Sequence, residues 1–281
     1  MTRKLIITGG AGFIGCHTAS YFAKKGYAVV IIDNLSRKGS LDNLNWLKNQ
    51  YPITLYKTDI QDNKAVEDIF KKEKKFKAII HLAAQVAVTT SVSNPRNDFN
   101  INALGTLNIL EAVKNYCPNA PFIYSSTNKV YGLLNTVKII EGPKRYEINK
   151  KEGISESEPL DFHSPYGCSK GSADQYVLDY ARIFNLQTVS FRQSCIYGER
   201  QFGVEDQGWL AWFIIATVLG RKISIYGDGK QVRDVLYVQD LVELYEKFIE
   251  QVYLLYQTRK NIGRFNNNWK KTIHILLWTI C

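Results

Sequence analysis

The sequence predicts a doubly wound α/β fold, in which helices cover both faces of a parallel sheet. Short runs that are apolar throughout, such as residues 5–7 and 29–32, are typical of strands that are buried on both faces. These runs alternate with segments of helical length as far as residue 192, and this alternation favours parallel strands joined by helices. A chain of 281 residues with 45% hydrophobic residues is long enough for one large domain and an additional lobe.

The first predicted strand leads into a turn that is rich in glycine. Thr8 ends the strand, and three glycines follow at three-residue spacing: Gly9, Gly12 and Gly15. Glycine permits a sharp turn, a close approach of the backbone to a pyrophosphate, and close packing of the next helix on the strand. That helix is predicted to begin near Phe13 and to end at Gly26, so its N-terminal N–H groups would face the phosphates.

The second predicted strand, residues 29–33, ends in an acid. A carboxylate at Asp33 can accept both hydroxyls of a ribose and would repel a 2′-phosphate, which favours NAD over NADP. Arg37 lies nearby in the chain and leaves NADP open. Strand, glycine turn, helix, strand and terminal acid in one short unit predict a dinucleotide site far more strongly than three glycines alone.

The net charge of +10 is compatible with a polyanionic partner, but its distribution argues against one. Residues 252–281 contain no acid and supply half of this charge through five basic residues: Arg259, Lys260, Arg264, Lys270 and Lys271. The chain shows no recognition helix and no aromatic–basic motif, so we expect no nucleic-acid partner.

The sequence shows no sign of a membrane or secreted protein. The N-terminus is charged, which argues against a signal peptide, and no apolar run is long enough to cross a membrane. The five cysteines are scattered and predict no metal site: Cys16, Cys117, Cys168, Cys195 and Cys281. An odd, dispersed set of thiols suits a reducing compartment, so we expect a cytoplasmic protein.

The remaining elements follow the same α/β pattern. Strands are predicted at residues 55–60, 78–85, 122–127 and 188–191, and helices at residues 65–70, 98–116 and 166–184. Ligands of such a sheet bind beyond the carboxyl ends of its strands, where Asp59, Ala83 and Thr127 fall. His81, after an apolar run, is interpreted as a hydrogen-bonded core histidine.

Two regions depart from the alternation. Residues 132–161 are polar and are predicted to form a surface insertion, which is either a tolerated loop or a lid near the substrate. Beyond residue 192, a helix at residues 209–213 and short strands at residues 223–226 and 235–238 predict a smaller substrate lobe.

Tyr166 and Lys170 stand four residues apart on a predicted helix, and therefore lie one turn apart on the same face. A free tyrosine titrates near pH ~10, and a neighbouring ammonium lowers that pKa. With the dinucleotide turn and with Thr127 at an adjacent strand end, the pair forms a catalytic constellation. Thr127 would hydrogen-bond the substrate oxygen, Tyr166 would move its proton, and Lys170 would tune Tyr166 and hold the nicotinamide ribose.

A set of motifs between Lys4 and about Tyr245 resembles the extended short-chain dehydrogenase/reductases that act on nucleotide sugars. The motifs are Thr8-Gly9-x-x-Gly12-x-x-Gly15, Asp33, Asp59-Ile60, Leu82-Ala83-Ala84, Asn102-x-x-Gly105-Thr106, Ser125-Ser126-Thr127, Val130-Tyr131-Gly132 and Tyr166-x-x-x-Lys170. The resemblance implies an NAD-binding Rossmann domain at residues 1–192, with the insertion at residues 132–161. It implies a partial substrate-binding lobe at residues 193–281, with an atypical tail at residues 252–281.

The resemblance also implies roles for individual residues. Those expected to bind NAD are Gly9, Gly12, Phe13, Ile14, Gly15, Asp33, Asn34, Asp59, Ile60, Leu82, Ala83, Ala84, Asn102 and Lys170. Those expected to bind substrate are Asn128, Arg200 and Arg233, with Arg233 on the nucleotide phosphates; a surface cluster with Asp234 is the alternative for Arg233. Packing through the helices at residues 98–116 and 166–184 would form a homo-oligomer.

Residues 126–132, 160–171 and 206–209 resemble a narrower group of this family, the epimerases that invert C2 of a CDP-linked sugar. The resemblance implies that bound NAD takes hydride from C2 while Tyr166 takes the hydroxyl proton, and that the hydride returns to the other face of the keto sugar. The oxidised cofactor is regenerated, so no external reductant is expected.

Three alternatives stand beside this function. A 4,6-dehydratase would carry Asp-Glu where the chain has Asn128 and Lys129, and an amide and an ammonium cannot replace an acid and a carboxylate base. A 4-epimerase shares the redox half-reaction and stays open. The third is a truncated or frameshifted NAD-binding remnant, because Asn261-Ile262-Gly263 is followed by Arg264 where the family has a second glycine.

Overall fold

The computed structural model describes residues 3–148, 153–261 and 273–276. Within these residues the central sheet has seven parallel strands, in the spatial order β3-β2-β1-β4-β5-β8-β11. The strands, numbered along the chain, are β1 (Lys4–Thr8), β2 (Ala28–Ile32), β3 (Ile53–Tyr56), β4 (Ala78–His81), β5 (Phe122–Thr127), β6 (Ile139–Glu141), β7 (Tyr146–Ile148), β8 (Thr188–Gln193), β9 (Cys195–Tyr197), β10 (Val235–Tyr237) and β11 (Ile273–Leu276).

Helices cover both faces of the sheet. They are α1 (Phe13–Lys24), α2 (Ser40–Lys48), α3 (Asn63–Glu73), α4 (Val88–Ser93), α5 (Pro95–Phe99), α6 (Gly105–Tyr116), α7 (Ser164–Phe184), α8 (Trp209–Val218) and α9 (Val238–Asn261). Alternate strand residues point to opposite faces, so Ile6 packs with α3, α6 and α7, whereas Leu5 and Ile7 pack with α1 and α9. The predicted doubly wound, Rossmann-type fold is therefore confirmed.

The predicted end of the first helix is also confirmed. Gly26 has a φ of +79°, and its N–H donates to the carbonyl of Ala23 at 2.9 Å. The next N–H, of Tyr27, donates to the carbonyl of Phe22 at 3.0 Å. This pair of bonds is a Schellman motif, which requires a left-handed residue and therefore favours glycine.

Four predicted elements differ clearly from the structure. The third strand ends at Tyr56, and the strand predicted at residues 78–85 ends at His81. The helix predicted at residues 98–116 is divided into α5, a π-helical turn (Asn100–Leu104) and α6. Residues 223–226 form no strand, because Ile225 and Tyr226 are exposed and lie beside no partner strand. The strand predicted at residues 223–226 is consequently wrong, and β10, at residues 235–237, pairs in parallel with β9.

The predicted insertion contains an antiparallel hairpin, β6–β7, that docks onto the loop before β10. Tyr146 donates from its hydroxyl to Oδ2 of Asp228 at 2.8 Å, and its N–H donates to the carbonyl of Lys230 at 2.9 Å. The Nζ of Lys230 lies 2.6 Å from Oε1 of Glu141. These bonds therefore hold the insertion against the loop before β10.

Part of the predicted atypical tail, residues 252–281, lies outside the described residues. Its described parts are the end of α9 and strand β11, which adds in parallel to the edge of β8. No helix among residues 3–148 and 153–261 has both the length and the apolar composition needed to span a bilayer.

A buried chain of hydrogen bonds joins the ends of β1 and β4. Thr8 Oγ1 lies 2.6 Å from Nδ1 of His81, and Nε2 of His81 lies 2.9 Å from Oγ1 of Thr106. Because the Thr106 hydroxyl donates its own proton to the carbonyl of Asn102, Nε2 of His81 is the donor to Thr106. His81 is thus the hydrogen-bonded core histidine that its position indicates.

Desolvation lowers the pKa of His81 from 6.5 to about 3, and the nearby Lys170 adds to this effect. Above pH 6.5 both the folded and the unfolded chain hold the ring neutral. As the pH falls from 6.5 toward about 3, only the unfolded chain binds the proton, so stability is lost.

We expect the free energy of unfolding to fall with decreasing pH in this window by up to about 1.4 kcal/mol per pH unit from this ring. The slope should be smaller in His81→Gln, measured by urea denaturation at several pH values. The control is His163→Gln, at an exposed ring that bonds Asp161. Equal slopes in the two variants would contradict the assignment.

Candidate active site

A groove runs along the carboxyl ends of β1 to β4, where the predicted dinucleotide site falls. Its floor is the crossing of the Gly9 turn over the segment after β4. A Cβ on Gly9 would lie 2.7 Å from the Ala83 nitrogen and 2.9 Å from the Leu82 carbonyl carbon, and Gly9 has a φ of +68°. Only glycine allows this approach, and it brings the turn, Leu82, Ala83 and Ala84 into one wall of the groove.

The N-terminus of α1 opens onto the same groove. Its N-cap is Gly12, which provides no side-chain acceptor, and Phe13, Ile14 and Gly15 line the groove. A Cβ on Gly15 would lie 2.1 Å from the carbonyl oxygen of Gly9, so the helix can start here only with glycine at this position. The arrangement leaves the first N–H groups of a twelve-residue helix for an anion.

Acidic and amide side chains form the far end of the groove. Asp33 accepts from the N–H of Ala11 through Oδ2 at 3.0 Å and from the N–H of Leu35 through Oδ1 at 2.8 Å. Asn34 donates to Oδ2 of Asp59 at 2.8 Å. Each Asp33 oxygen retains acceptor capacity, which suits the two hydroxyls of a ribose. Ile60 also lines the groove.

The opposite wall of the groove joins two segments that lie far apart in the chain, residues 37–43 and residues 200–207. Arg37 donates to Oε1 of Gln207, and Phe202 packs on Gly39. Arg200 donates to Oδ1 of Asn43 at 3.2 Å and stacks over Trp46 at 4.4 Å. The structure thus places Arg200 in the dinucleotide groove, whereas the sequence interpretation gave it a substrate role. A positive φ at Arg200 accompanies this position.

Asn102 does not line the groove. It lies in the π-helical turn, where Oδ1 accepts from the N–H of Gln85 at 2.9 Å and Nδ2 donates to the Gln85 carbonyl at 3.1 Å. These bonds fix the segment that follows Ala84. The structure gives Asn102 an indirect position behind the groove, although the sequence places it among the cofactor ligands.

A second cavity adjoins the groove beside β5 and β8. The residues that line both are Phe13, Ile14, Val86, Ser125, Ser126, Tyr166, Gln201 and Gln207. Asn128 and Arg233 line only the second cavity, together with Ile139 and Ile148 of the insertion hairpin. The insertion therefore forms part of a cavity wall, which favours the interpretation as a lid over that of a tolerated loop.

Thr127 and Tyr166 meet where the two cavities join. Thr127, at the end of β5, accepts from the N–H of Lys129 at 3.2 Å, and its hydroxyl donates to Oδ1 of Asn128 at 3.4 Å. Thr127 also acts on the Tyr166 phenol and lowers its pKa. Lys170 is 3% exposed, donates to the carbonyl of Ser125 at 2.6 Å and lies 4.2 Å from the Tyr124 ring centroid. The structure thus brings together the three residues that the sequence predicts as catalytic.

The electrostatics of these groups differ from the sequence expectation. Desolvation raises the pKa of Tyr166 to about 12, against the lowering effects of the Thr127 hydrogen bond and the Arg37 charge. Burial lowers the pKa of Lys170 to about 7, against the raising effects of Asp174 and Asp98. The protein alone therefore does not lower the pKa of Tyr166, because burial outweighs its neighbours.

The described geometry is matched by comparisons with known proteins. Residues 5–263 match the model of the NAD dependent epimerase/dehydratase family. The chain belongs to this family. It is 49% identical over 266 residues to the CDP-paratose 2-epimerase of Salmonella typhi, which covers 92% of the chain and 78% of that protein. Membership confirms the predicted family and the prediction of an NAD-dependent epimerase, and NAD is the cofactor.

Solved structures agree with this assignment. The UDP-glucose 4-epimerase of Thermus thermophilus, in complex with NAD, has a TM-score of 0.71 and 29% identity over 88% of this chain and 74% of that one. The UDP-glucuronic acid 4-epimerase of Bacillus cereus, in complex with UDP-glucuronic acid and NAD, has a TM-score of 0.72 and 27% identity over 88% and 73%.

The residues of the groove fit NAD. A helix N-terminus without a side-chain cap suits a pyrophosphate, and Asp33 suits a ribose without a 2′-phosphate. Arg37, which could favour NADP, donates to Gln207 across the groove.

Two glycine substitutions should separate folding from NAD binding. Gly15→Ala should lower both the free energy of unfolding and NAD affinity, since its Cβ meets backbone at 2.1 Å. A Cβ on Gly12 meets its nearest atom, the Gly9 carbonyl oxygen, at 3.2 Å, so Gly12→Ala should lower the free energy of unfolding much less than Gly15→Ala but weaken NAD binding by about tenfold or more.

Urea denaturation and isothermal titration with NAD measure the two effects. NAD affinity that is unchanged in Gly12→Ala would contradict the position given to the pyrophosphate.

Proposed function

We propose that the chain inverts C2 of CDP-paratose to form CDP-tyvelose. The observation that carries the proposal is the junction of the two cavities, where Thr127 and Tyr166 meet and Asn128 and Lys129 follow. The similarity to the CDP-paratose 2-epimerase of Salmonella typhi supports the choice of sugar.

The residues at the junction suit proton transfer on a sugar hydroxyl. Thr127 and Tyr166 line the same cavity, and Thr127 lowers the pKa of the Tyr166 phenol, so we propose that one substrate oxygen hydrogen-bonds both hydroxyls. Tyr166 would take the C2 hydroxyl proton as the 2-keto sugar forms and return it when the sugar is reduced on its other face. When bound, NAD would accept the hydride and later give the same hydride back, so no external reductant is consumed.

Lys170 would act on Tyr166 from behind. Its ammonium is held by the Ser125 carbonyl and by the face of Tyr124, and both interactions favour the charged form. A positive charge there stabilises a phenolate at Tyr166. We also propose that Lys170 holds the nicotinamide ribose, since it lines the groove.

Cationic side chains in the second cavity suit a nucleoside diphosphate. Arg233 lines this cavity, is exposed and donates to the carbonyl of Val232 at 2.9 Å. Among the described residues it forms no ion pair with Asp234, which argues against the surface cluster. We therefore assign Arg233 to the substrate phosphates.

A 4-epimerase is the second candidate, because the redox chemistry is the same and only the pose of the sugar differs. The similarity to the UDP-glucose 4-epimerase fold favours it. A 4,6-dehydratase is disfavoured, because Asn128 and Lys129 at the cavity wall provide neither a carboxylic acid nor a carboxylate base.

We also propose that the protein forms a homo-oligomer. Large apolar side chains are exposed along α5, the π-helical turn and α7: Phe99, Leu104, Tyr176, Ile183 and Phe184. Exposed apolar surface of this kind is typical of an interface between subunits. A second copy, packed helix against helix, would cover it.

The test of the proposed reaction is incubation of the protein with CDP-paratose and then with UDP-glucose, with the product stereocentre assigned by NMR. Inversion at C2 of CDP-paratose is the expected result. Tyr166→Phe should lower kcat by about 10²- to 10⁴-fold without loss of CDP affinity, because only proton transfer is removed.

The control variant is Tyr176→Phe, which changes an exposed tyrosine on the same helix. Its kcat should equal that of the unchanged chain. Inversion at C4 of the UDP-sugar, with no reaction at C2, would replace the proposal with the second candidate.

The oligomer is tested by sedimentation. Ile183→Lys should shift the protein toward the monomer, because it places a charge in the proposed interface. Ile214→Lys, at an exposed apolar residue of α8, is the control and should leave the mass unchanged. A monomer at all concentrations in the unchanged chain would contradict the proposed oligomer.

A further inference from the structure

A buried carboxylate, Asp98 of α5, lies behind the catalytic helix. It is 0% exposed, and it accepts three hydrogen bonds from neutral side chains. Oδ1 accepts from Gln85 at 2.7 Å and from Asn102 at 3.2 Å, and Oδ2 accepts from the hydroxyl of Ser169. A carboxylate without a cation among its bonded partners is costly to bury, so its retention calls for a function.

The three partners of Asp98 belong to two parts of the site. Gln85 follows Ala84, which lines the dinucleotide groove, and Asn102 holds the Gln85 backbone. Ser169 lies on α7 directly before Lys170, and its hydroxyl also lies 3.2 Å from the carbonyl of Tyr166. Asp98 therefore links the cofactor wall to the helical turn that carries Tyr166 and Lys170.

The second buried carboxylate near Lys170 is in a different electrostatic state. Asp174 forms an ion pair with Arg192, with distances of 2.8 Å to Nη2 and 3.2 Å to Nε. The Arg192 charge therefore offsets that of Asp174. Within residues 3–148 and 153–261, Asp98 bonds only neutral side chains, and its charge acts on the buried ammonium of Lys170.

Titratable or charged groups from each packed element face Lys170 and Tyr166. Lys170 is faced by Asp174 of α7, His81 of β4, Tyr124 of β5 and Asp98 of α5, and it lines the groove together with Tyr166. Tyr166 is faced by Thr127, Arg37, Tyr124 and Asp98. Of these, Asp98 is the group that acts on both Lys170 and Tyr166 and carries a charge that no bonded cation offsets.

We propose that Asp98 is a positioning residue for the reaction. Through Ser169, its carboxylate fixes the Tyr166–Lys170 turn against the cofactor wall, and its negative charge keeps the buried Lys170 protonated. This rests on the proposed function only in that Tyr166 and Lys170 carry the chemistry. The choice of sugar does not enter.

The charge has a defined effect on titration. Asp98 raises the pKa of both Lys170 and Tyr166. Removing its charge should therefore lower both pKa values, and both limbs of a bell-shaped profile of kcat/KM against pH should move to lower pH. The expected shift for Asp98→Asn, which keeps the shape of the side chain, is about one pH unit.

The experiment compares three variants, each purified with its NAD. Asp98→Asn removes the charge, and Ser169→Ala removes the link but keeps the charge. Asp179→Asn removes an exposed carboxylate from the same helix and is the matched control. The readouts are the pH profile of epimerisation and the ultraviolet titration of the Tyr166 phenol, taken as the difference from the same variant with Tyr166→Phe.

Each variant has a distinct expected result. Asp98→Asn should shift both limbs and the phenol titration to lower pH, whereas Asp179→Asn should shift neither. Ser169→Ala should lower kcat by about tenfold or more and leave the limbs in place, because the turn is misplaced while the charge remains.

The proposal is overturned if the phenol of Asp98→Asn titrates like that of Asp179→Asn, or if Ser169→Ala retains full kcat. Ser169→Ala decides the positioning role even where Asp98→Asn does not fold. The phenol titration needs no turnover, so a chain that leaves CDP-paratose unchanged would contradict the proposed substrate but not the role of Asp98.

Discussion

The site depends on one close contact, where the turn after β1 crosses the segment after β4. The backbone of Gly9 lies against Ala83 so closely that a Cβ would be 2.7 Å from its nitrogen. Thr8 strengthens this contact, since its hydroxyl donates to His81 and accepts from two N–H groups at 3.2 Å each. This crossing brings the glycine turn, the start of α1 and the segment after β4 into one wall of the groove.

Burial opposes the charged forms of the two groups that we propose as catalytic, Tyr166 and Lys170. Desolvation raises the pKa of Tyr166 and lowers that of Lys170, so both neutral forms are favoured by burial alone. Proton transfer needs the opposite: a charged lysine that stabilises a phenolate. The carbonyl of Ser125, the ring of Tyr124 and the charge of Asp98 all favour the charged lysine. The charge of Asp98 also raises the pKa of Tyr166 and so opposes the phenolate. The charge states of Tyr166 and Lys170 therefore depend on the balance between burial and neighbouring groups that lie far away in the chain.

Local features of the site could be predicted from the sequence, whereas its long-range features could not. The glycine turn, Asp33 and the Tyr166–Lys170 spacing depend on neighbours within one strand–turn–helix unit or one helical turn, so their positions are readable. Arg200 could not be placed, because its position depends on a packing contact with Trp46, far away in the chain. The turn at Asn102 was missed as well, because a π-helical turn has no periodicity signal that distinguishes it from an α-helix.

The structure separates the redox chemistry from the choice of substrate. Gly9, Asp33 and Lys170 lie in the groove, which the turn and the sheet edge define. The adjoining cavity is closed by the hairpin β6–β7 and by the loop before β10, which are joined through Tyr146 and Lys230. These two segments lie outside the sheet, so they can change without disturbing the contact that the groove requires. The proposed function therefore allows the sugar specificity to change through the cavity wall, with the proposed proton-transfer residues unchanged.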